Sequence, residues 1–246
     1  MEDAITPETI LITIMHANNE VGTIQPIGVI GEIAKRHGIL FHTDAAQSVG
    51  KIPTMVNELS VDLLTVAGHK LYTPKGIGAL YVRKGVYIEP LIHGAAHELG
   101  RRAGTENVAY MVGLGTACEL ANANLIKKSR VTAKLRDQLH EIISDQLDNI
   151  MLNGHPEERL PNTLNIGLKG VSGAEVLAGI PQIAASTGSA CHEGSGELSG
   201  VLKEMNVEPA YGFGALRLSL GRYTIEQEIQ QAAEYIINRV KELRTS

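Results

Sequence analysis

Three short apolar runs, each ending in a polar cluster, constrain this chain's fold more than any other feature of it. Ile10-Leu11-Ile12-Thr13-Ile14-Met15 is rich in β-branched residues, the composition of a strand buried on both faces of a parallel sheet. Ile39-Leu40-Phe41-His42-Thr43 and Asp62-Leu63-Leu64-Thr65-Val66 are further strands. Between the first two, Ile27, Ile30, Ile33 and Ala34 recur at helical spacing, predicting a helix from about Ile27 to His37 with Gly38 as its stop. The order strand, helix, strand, connection, strand predicts parallel pairing with right-handed crossovers, hence an α/β fold. The polar groups around Asn19, Asp44 and Lys70 would then fall at one sheet edge, the edge where open α/β sheets bind ligands.

The third cluster lies in a turn-rich segment, Val66 to Val82, expected between two short buried strands. Lys70 follows an apolar run and His69, where desolvation would lower its pKa toward that of a usable amine, one able to form a Schiff base. The plain alternative is a lysine snorkelling into water from a strand end. Asp44 has an alternative as a helix N-cap, Asn19 and Gln47 as ordinary loop residues, and Arg217 as a surface arginine at a strand end. Together, an amine, a carboxylate and two amides are the groups a pyridoxal phosphate site needs: a lysine for the aldehyde, an acid for the ring nitrogen, neutral donors for the phenolic oxygen.

Beyond Val82 comes a loop rich in Gly, His and Arg, His93 to Thr105, whose many donors suggest function. Helices are predicted at about Asn107 to Ala123 and Ser129 to Leu147, then strand Thr163 to Leu168, helix Gly173 to Ala178, strand Ile183 to Ala185, helix Leu198 to Met205, strand Leu216 to Leu220 and helix Ile225 to Leu243. The domain change is placed so that residues 1–125 form the C-terminal part of a larger domain and 126–246 a small C-terminal domain carrying the Cys191 loop. A length of 246 residues suffices for a sizeable core. A formal net charge of -5 and the lack of any extended basic patch argue against nucleic acid or a membrane surface as partner. No apolar run is long enough to cross a bilayer, and Met1-Glu2-Asp3-Ala4 is acidic where a secretory signal would be basic, so the expectation is a soluble, cytoplasmic protein, with organelle targeting left open.

The two cysteines differ in setting. Cys191 lies among small residues, Ser186-Thr187-Gly188-Ser189-Ala190 before it and His192-Glu193-Gly194-Ser195-Gly196 after it, where a thiolate could swing toward a substrate. Cys118 falls inside an apolar helix and is expected to be buried and inert. A metal at the Cys191-His192 pair lacks a second cluster at ligand spacing, so no metal site is expected.

The motifs His16-Ala17-Asn18-Asn19-Glu20-Val21-Gly22, His42-Thr43-Asp44-Ala45-Ala46-Gln47, Gly68-His69-Lys70, Arg102-Ala103-Gly104-Thr105, Gly188-Ser189-Ala190-Cys191 and Arg217-Leu218-Ser219-Leu220-Gly221-Arg222 occur in this order across nearly the whole chain. In them the chain resembles the cysteine desulfurases and selenocysteine lyases, of the class V aminotransferase fold. The resemblance implies a fold type I transferase, with a mostly parallel large domain that is incomplete here and a smaller α+β C-terminal domain. It implies pyridoxal 5'-phosphate as cofactor, Lys70 as the imine lysine, Asp44 on the pyridine nitrogen, Asn19 and Gln47 near the phenolic oxygen, and His69 beside the phosphate. Thr105 would reach the cofactor of a neighbouring subunit in a homodimer, and Arg217 would clamp the substrate carboxylate. Asn19 would also border the substrate. Lys70, Cys191 and His16 are the catalytic candidates. The implied substrate is L-cysteine or L-selenocysteine, with L-alanine as product and a Cys191 persulfide passed to a sulfur- or selenium-acceptor protein.

Two departures accompany the resemblance. Ala67 stands where many members carry a phosphate-binding serine, and the resemblance starts in the middle of the cofactor domain. The family's ring-stacking histidine and its phosphate-cradling turn are not found. Weak cofactor binding by this chain alone is therefore expected, and the rival expectation is a truncated, non-catalytic dimerising module.

Overall fold

The computed structural model describes residues 1–188 and 198–245. It divides into two compact units, Met1–His16 with Pro26–Leu125, and Ala17–Gln25 with Ile126–Ser246.

In the first unit, β1 (Leu11–Met15), β2 (Leu40–Asp44), β3 (Leu63–Ala67) and β4 (Gly78–Val82) form one sheet in that order. The first three are parallel and β4 runs antiparallel to β3. Helix α1 (Ile27–Arg36) makes the crossover between β1 and β2. Its apolar stripe buries Ile27 and Ala34 with Ile12, Ile39, Phe41, Ala45, Val61 and Leu64. Each large side chain fully buried there stabilises the unit by roughly 1.5–3 kcal/mol. The helix stops at Gly38, whose φ of 66° lets its amide and that of Ile39 turn back onto the carbonyls of Lys35 and Ala34.

The strands are less covered than their sequences predict. β1 buries Ile12 but leaves Leu11 and Met15 exposed at 44% and 43%, because among the described residues α1 packs on one face of the sheet only. β4 is likewise no buried strand: Leu80 is 47% exposed. Helix α2 (Val108–Asn122), capped by the Asn107 side chain accepting from the Tyr110 amide, closes the unit by packing Ala117 and Ala121 on Leu71.

In the second unit, α3 (Leu125–Gln146) leads to a three-stranded antiparallel sheet of β5 (Ile150–Leu152), β6 (Thr163–Leu168) and β7 (Ala215–Ser219), with β6 central. Every residue of β6 is buried. Its apolar side chains pack with those of α3, α4 (Gly173–Ala178) and α7 (Glu226–Thr245) around Ile143, Leu168, Val176, Leu216 and Ile236. Two short helices, α5 (Gly200–Glu204) and α6 (Pro209–Gly212), precede β7. The strand predicted at Ile183 to Ala185 does not form; pairing with β7 is confined to one bridge between Ser186 and Arg217. No helix among the described residues is long and apolar enough to cross a membrane.

Candidate active site

Strand register assembles the site of the first unit. Met15 pairs with Asp44 and Asp44 with Thr65, so β1, β2 and β3 deliver their carboxyl ends side by side. The amide of His16 donates to the Asp44 carbonyl at 2.8 Å, tying the residue after β1 to the last residue of β2. The 3-10 turn Gly68–Leu71 follows β3 directly and carries His69 and Lys70. His16, Asp44 and Lys70 thus fall at one end of one sheet.

Asp44 ends its strand in a turn, with Oδ1 accepting from the Ala46 amide at 2.8 Å. Its local capping role and a site role are compatible, since the second carboxylate oxygen is not used in that turn. On the same face two residues earlier, the His42 ring bridges three strands, Nδ1 to Thr13 Oγ1 at 2.7 Å and Nε2 to Thr65 Oγ1 at 2.9 Å. Burial lowers the His42 pKa, opposed in part by the Asp44 charge, so the ring is a neutral strut beneath the carboxylate. Sequence reasoning missed this ladder, although Thr13, His42 and Thr65 stand at matching positions in three predicted strands.

His16 is 4% exposed, and among the described residues its Nδ1 has no hydrogen-bond partner. Burial holds its imidazole below the ordinary value of 6.5, leaving a neutral base at neutral pH. Gln47 is half-buried one turn beyond Asp44, and its carbonyl accepts from Lys51 Nζ at 2.8 Å.

Lys70 departs from the expectation of a desolvated amine. Its side chain is exposed, because the 3-10 turn gives the inward positions to Gly68 and Leu71 and swings His69 and Lys70 out. Burial does depress Lys51, pushed down to about 8 by desolvation and then by the Lys70 charge. Thr105 is exposed in the loop before α2. Cys118 is exposed as well, contrary to expectation: α2 is apolar nearly all round, the Ala117 and Ala121 side alone is buried, and Cys118 lies off it. Such burial as it has raises the thiol pKa.

In the second unit, Arg217 on β7 is half-buried and its Nη1 donates to the Asn19 carbonyl at 3.3 Å. Glu20, 3% exposed, has Oε2 accepting from Ser199 Oγ at 2.5 Å, while its carbonyl accepts from Asn165 Nδ2. Asn19 and Arg217 are therefore brought together, and the Asn18 carboxamide holds the turn between them and β6 by accepting from the amides of Glu20 and Val21. Cys191 lies outside the described residues.

A mixed, mostly parallel sheet with a lysine turn and an acid at its carboxyl end defines the class: an α/β protein of the fold type I architecture. The model of the aminotransferase class-V family matches residues 1–232, and the chain belongs to that family. It is 48% identical to the cysteine desulfurase IscS of Methanosarcina thermophila over 99% of its own length and 61% of that protein's. Among solved structures it is similar to a NifS-like protein, with a TM-score of 0.86, 35% identity, and coverage of 99% of this chain and 63% of that one. It is also similar to SspA in complex with cysteine, with a TM-score of 0.75, 39% identity, and coverage of 91% and 62%. The chain thus spans a little over three fifths of the relatives it matches.

The residues present fit the family's cofactor. A primary amine, a carboxylate with an oxygen to spare and a buried imidazole with an unpartnered Nδ1 share one sheet end, which is a donor and acceptor set for an aldehyde and a heteroaromatic nitrogen.

Proposed function

We propose that the chain is the greater part of a cysteine desulfurase. The observation that carries this reading is the convergence of His16, Asp44 and the Lys70 turn at the carboxyl end of the first unit's sheet. The cysteine desulfurase relative and the cysteine-bound neighbour support the substrate, L-cysteine.

When bound, pyridoxal phosphate supplies an electron sink for the bond cleavages at the substrate. Lys70 Nζ would hold the cofactor and then carry the proton of the substrate α-carbon. Asp44 would keep the ring nitrogen protonated through its unused carboxylate oxygen, and the Ala46 amide on Oδ1 would fix its direction. His16, neutral by burial, would take or give a proton on the substrate side. Gln47 and Asn19 would meet the phenolic oxygen, His69 the phosphate, and Arg217 the substrate carboxylate in a paired hydrogen bond. Cys191 as thiolate would take the sulfur: its S–S bond forms as the substrate C–S bond breaks, so one cysteine and one thiol give one alanine and one persulfide. The persulfide would pass to an acceptor protein. The active form is a homodimer in which Thr105 reaches the cofactor of the partner subunit, and the location is cytoplasmic.

The experiment is spectroscopic and chemical. Adding pyridoxal phosphate to the whole protein gives a visible imine band that Lys70→Ala abolishes, and L-cysteine then yields alanine in step with persulfide. If Cys191→Ala leaves cysteine turnover intact, the nucleophile is another group. If Lys70→Ala keeps the band, the site is elsewhere.

A further inference from the structure

Lys51 has no part in the chemistry above, yet two contacts, one of its own and one of its neighbour Gly50, tie its turn to the site. The turn after Asp44 is closed by a run of bonds: the Ala45 carbonyl accepts from the amides of Ser48 and Val49, and the Ser48 carbonyl from those of Lys51 and Ile52. In a continuing helix the Lys51 amide would serve the carbonyl of Gln47, four residues back. It is diverted to Ser48, and the Lys51 ammonium takes its place at 2.8 Å.

The second contact is steric. Gly50 has a φ of 74°, and a methyl group there would lie 2.6 Å from Leu71 Cδ2 and 2.9 Å from Ala121 Cβ. The bare glycine lets the turn press against Leu71, the residue next to Lys70. Lys51, next along that turn, is half-buried, and desolvation first and the Lys70 charge second push its ammonium down to about 8. No carboxylate is paired with Lys51 among the described residues. A half-buried cation set beside the lysine of a Schiff-base site and bonded to the backbone of a cofactor donor is an unusual use of a lysine.

We propose that Lys51 is a positioning residue of the cofactor site: its ammonium locks Gln47 through the backbone carbonyl and stands as a second cation beside Lys70. The proposal rests on the Schiff-base reading of Lys70. A cation in this place disfavours protonation of an imine at Lys70 Nζ, and a lost clamp loosens the donor turn. The two effects are separable by substitution, since Lys51→Met removes both the charge and the bond, whereas Lys51→Arg keeps a permanent charge.

The test is a pH titration of the visible imine band in the whole protein loaded with pyridoxal phosphate. Lys51→Met shifts the midpoint up by about half a pH unit, the size of one unit charge several ångströms away in a water-like dielectric. Lys51→Arg leaves it unmoved or moves it down. Cofactor release on dilution is roughly tenfold faster in Lys51→Met, the scale for losing a hydrogen bond from a charged donor. Should Lys51→Met not fold, Nζ-resolved NMR gives the same answer: the Lys51 titration midpoint rises in Lys70→Ala, where the neighbouring charge is gone. Unchanged band midpoints in both variants, or a Lys51 resonance indifferent to the state of Lys70, overturn the proposal. A band that survives Lys70→Ala overturns the site reading instead, so the two failures are distinct.

Discussion

Replacing Gly68 by alanine tests whether the lysine turn is set by packing. A methyl group at Gly68 would lie 2.5 Å from Thr73 Oγ1, 2.7 Å from the Ile77 carbonyl oxygen and 2.8 Å from Ile77 Cγ2. The Thr73 hydroxyl can rotate away. The Ile77 carbonyl cannot, because it accepts from the Gly68 amide at 3.0 Å, and the Gly68 carbonyl in turn accepts from the Thr73 amide at 3.3 Å. Relieving the clash therefore stretches the bonds that close the turn, and overpacking of this kind costs about 1–3 kcal/mol. At about 2 kcal/mol the local opening equilibrium changes roughly thirtyfold. Amide hydrogen exchange on peptides covering residues 64–80 should show the Gly68 and Thr73 amides exchanging faster by about that factor. The imine band of the loaded protein should weaken with it. Exchange within about threefold of the unsubstituted chain, together with an unaltered band, would refute the claim that this close approach places Lys70.

Three further outcomes are expected. Ser199→Ala removes the hydroxyl that donates to buried Glu20 Oε2 and caps α5 at Val201, so denaturant unfolding should show a loss of about 1–3 kcal/mol that Ser199→Thr largely restores. His16 has a folded pKa below its ordinary 6.5, so the unfolded chain binds more protons below that pH; stability present above it is lost as pH falls through the lowered folded value, and His16→Asn should flatten that acid limb in unfolding curves. Gly113 on α2 has open space where a methyl would go, so Gly113→Ala should stabilise the chain by up to about 1 kcal/mol in thermal melts; a destabilisation in the whole protein would mean that a partner surface covers that side of the helix.

The sequence by itself determined the elements whose periodicity and punctuation are local. Helix α1 ends where Gly38 permits a left-handed turn, β6 spans the predicted Thr163 to Leu168, and α4 the predicted Gly173 to Ala178. The parallel order of β1 to β3 was legible for the same reason, since a strand, a helix and a second strand leave few ways to pair. The motifs carrying the family resemblance were legible as well, because chemistry fixes residue types as well as spacing. β5, three residues long, is too short to show a pattern, and Ile183 to Ala185 has the composition of a strand without a partner along its length.

Tertiary structure alone decided burial and direction. An apolar run does not state which of its faces a helix will cover, so Leu11, Met15, Leu80 and Cys118 are exposed although their surroundings in the sequence are apolar. A lysine after a strand does not state whether the next turn carries it inward or out. In this chain Gly68 and Leu71 take the inward places and Lys70 swings out, while burial, then the Lys70 charge, depresses the amine of Lys51, nineteen positions earlier, in a turn that the bare Gly50 lets close on Leu71. Charge and desolvation act over distances in space, and spacing along the chain does not report them until the fold has closed.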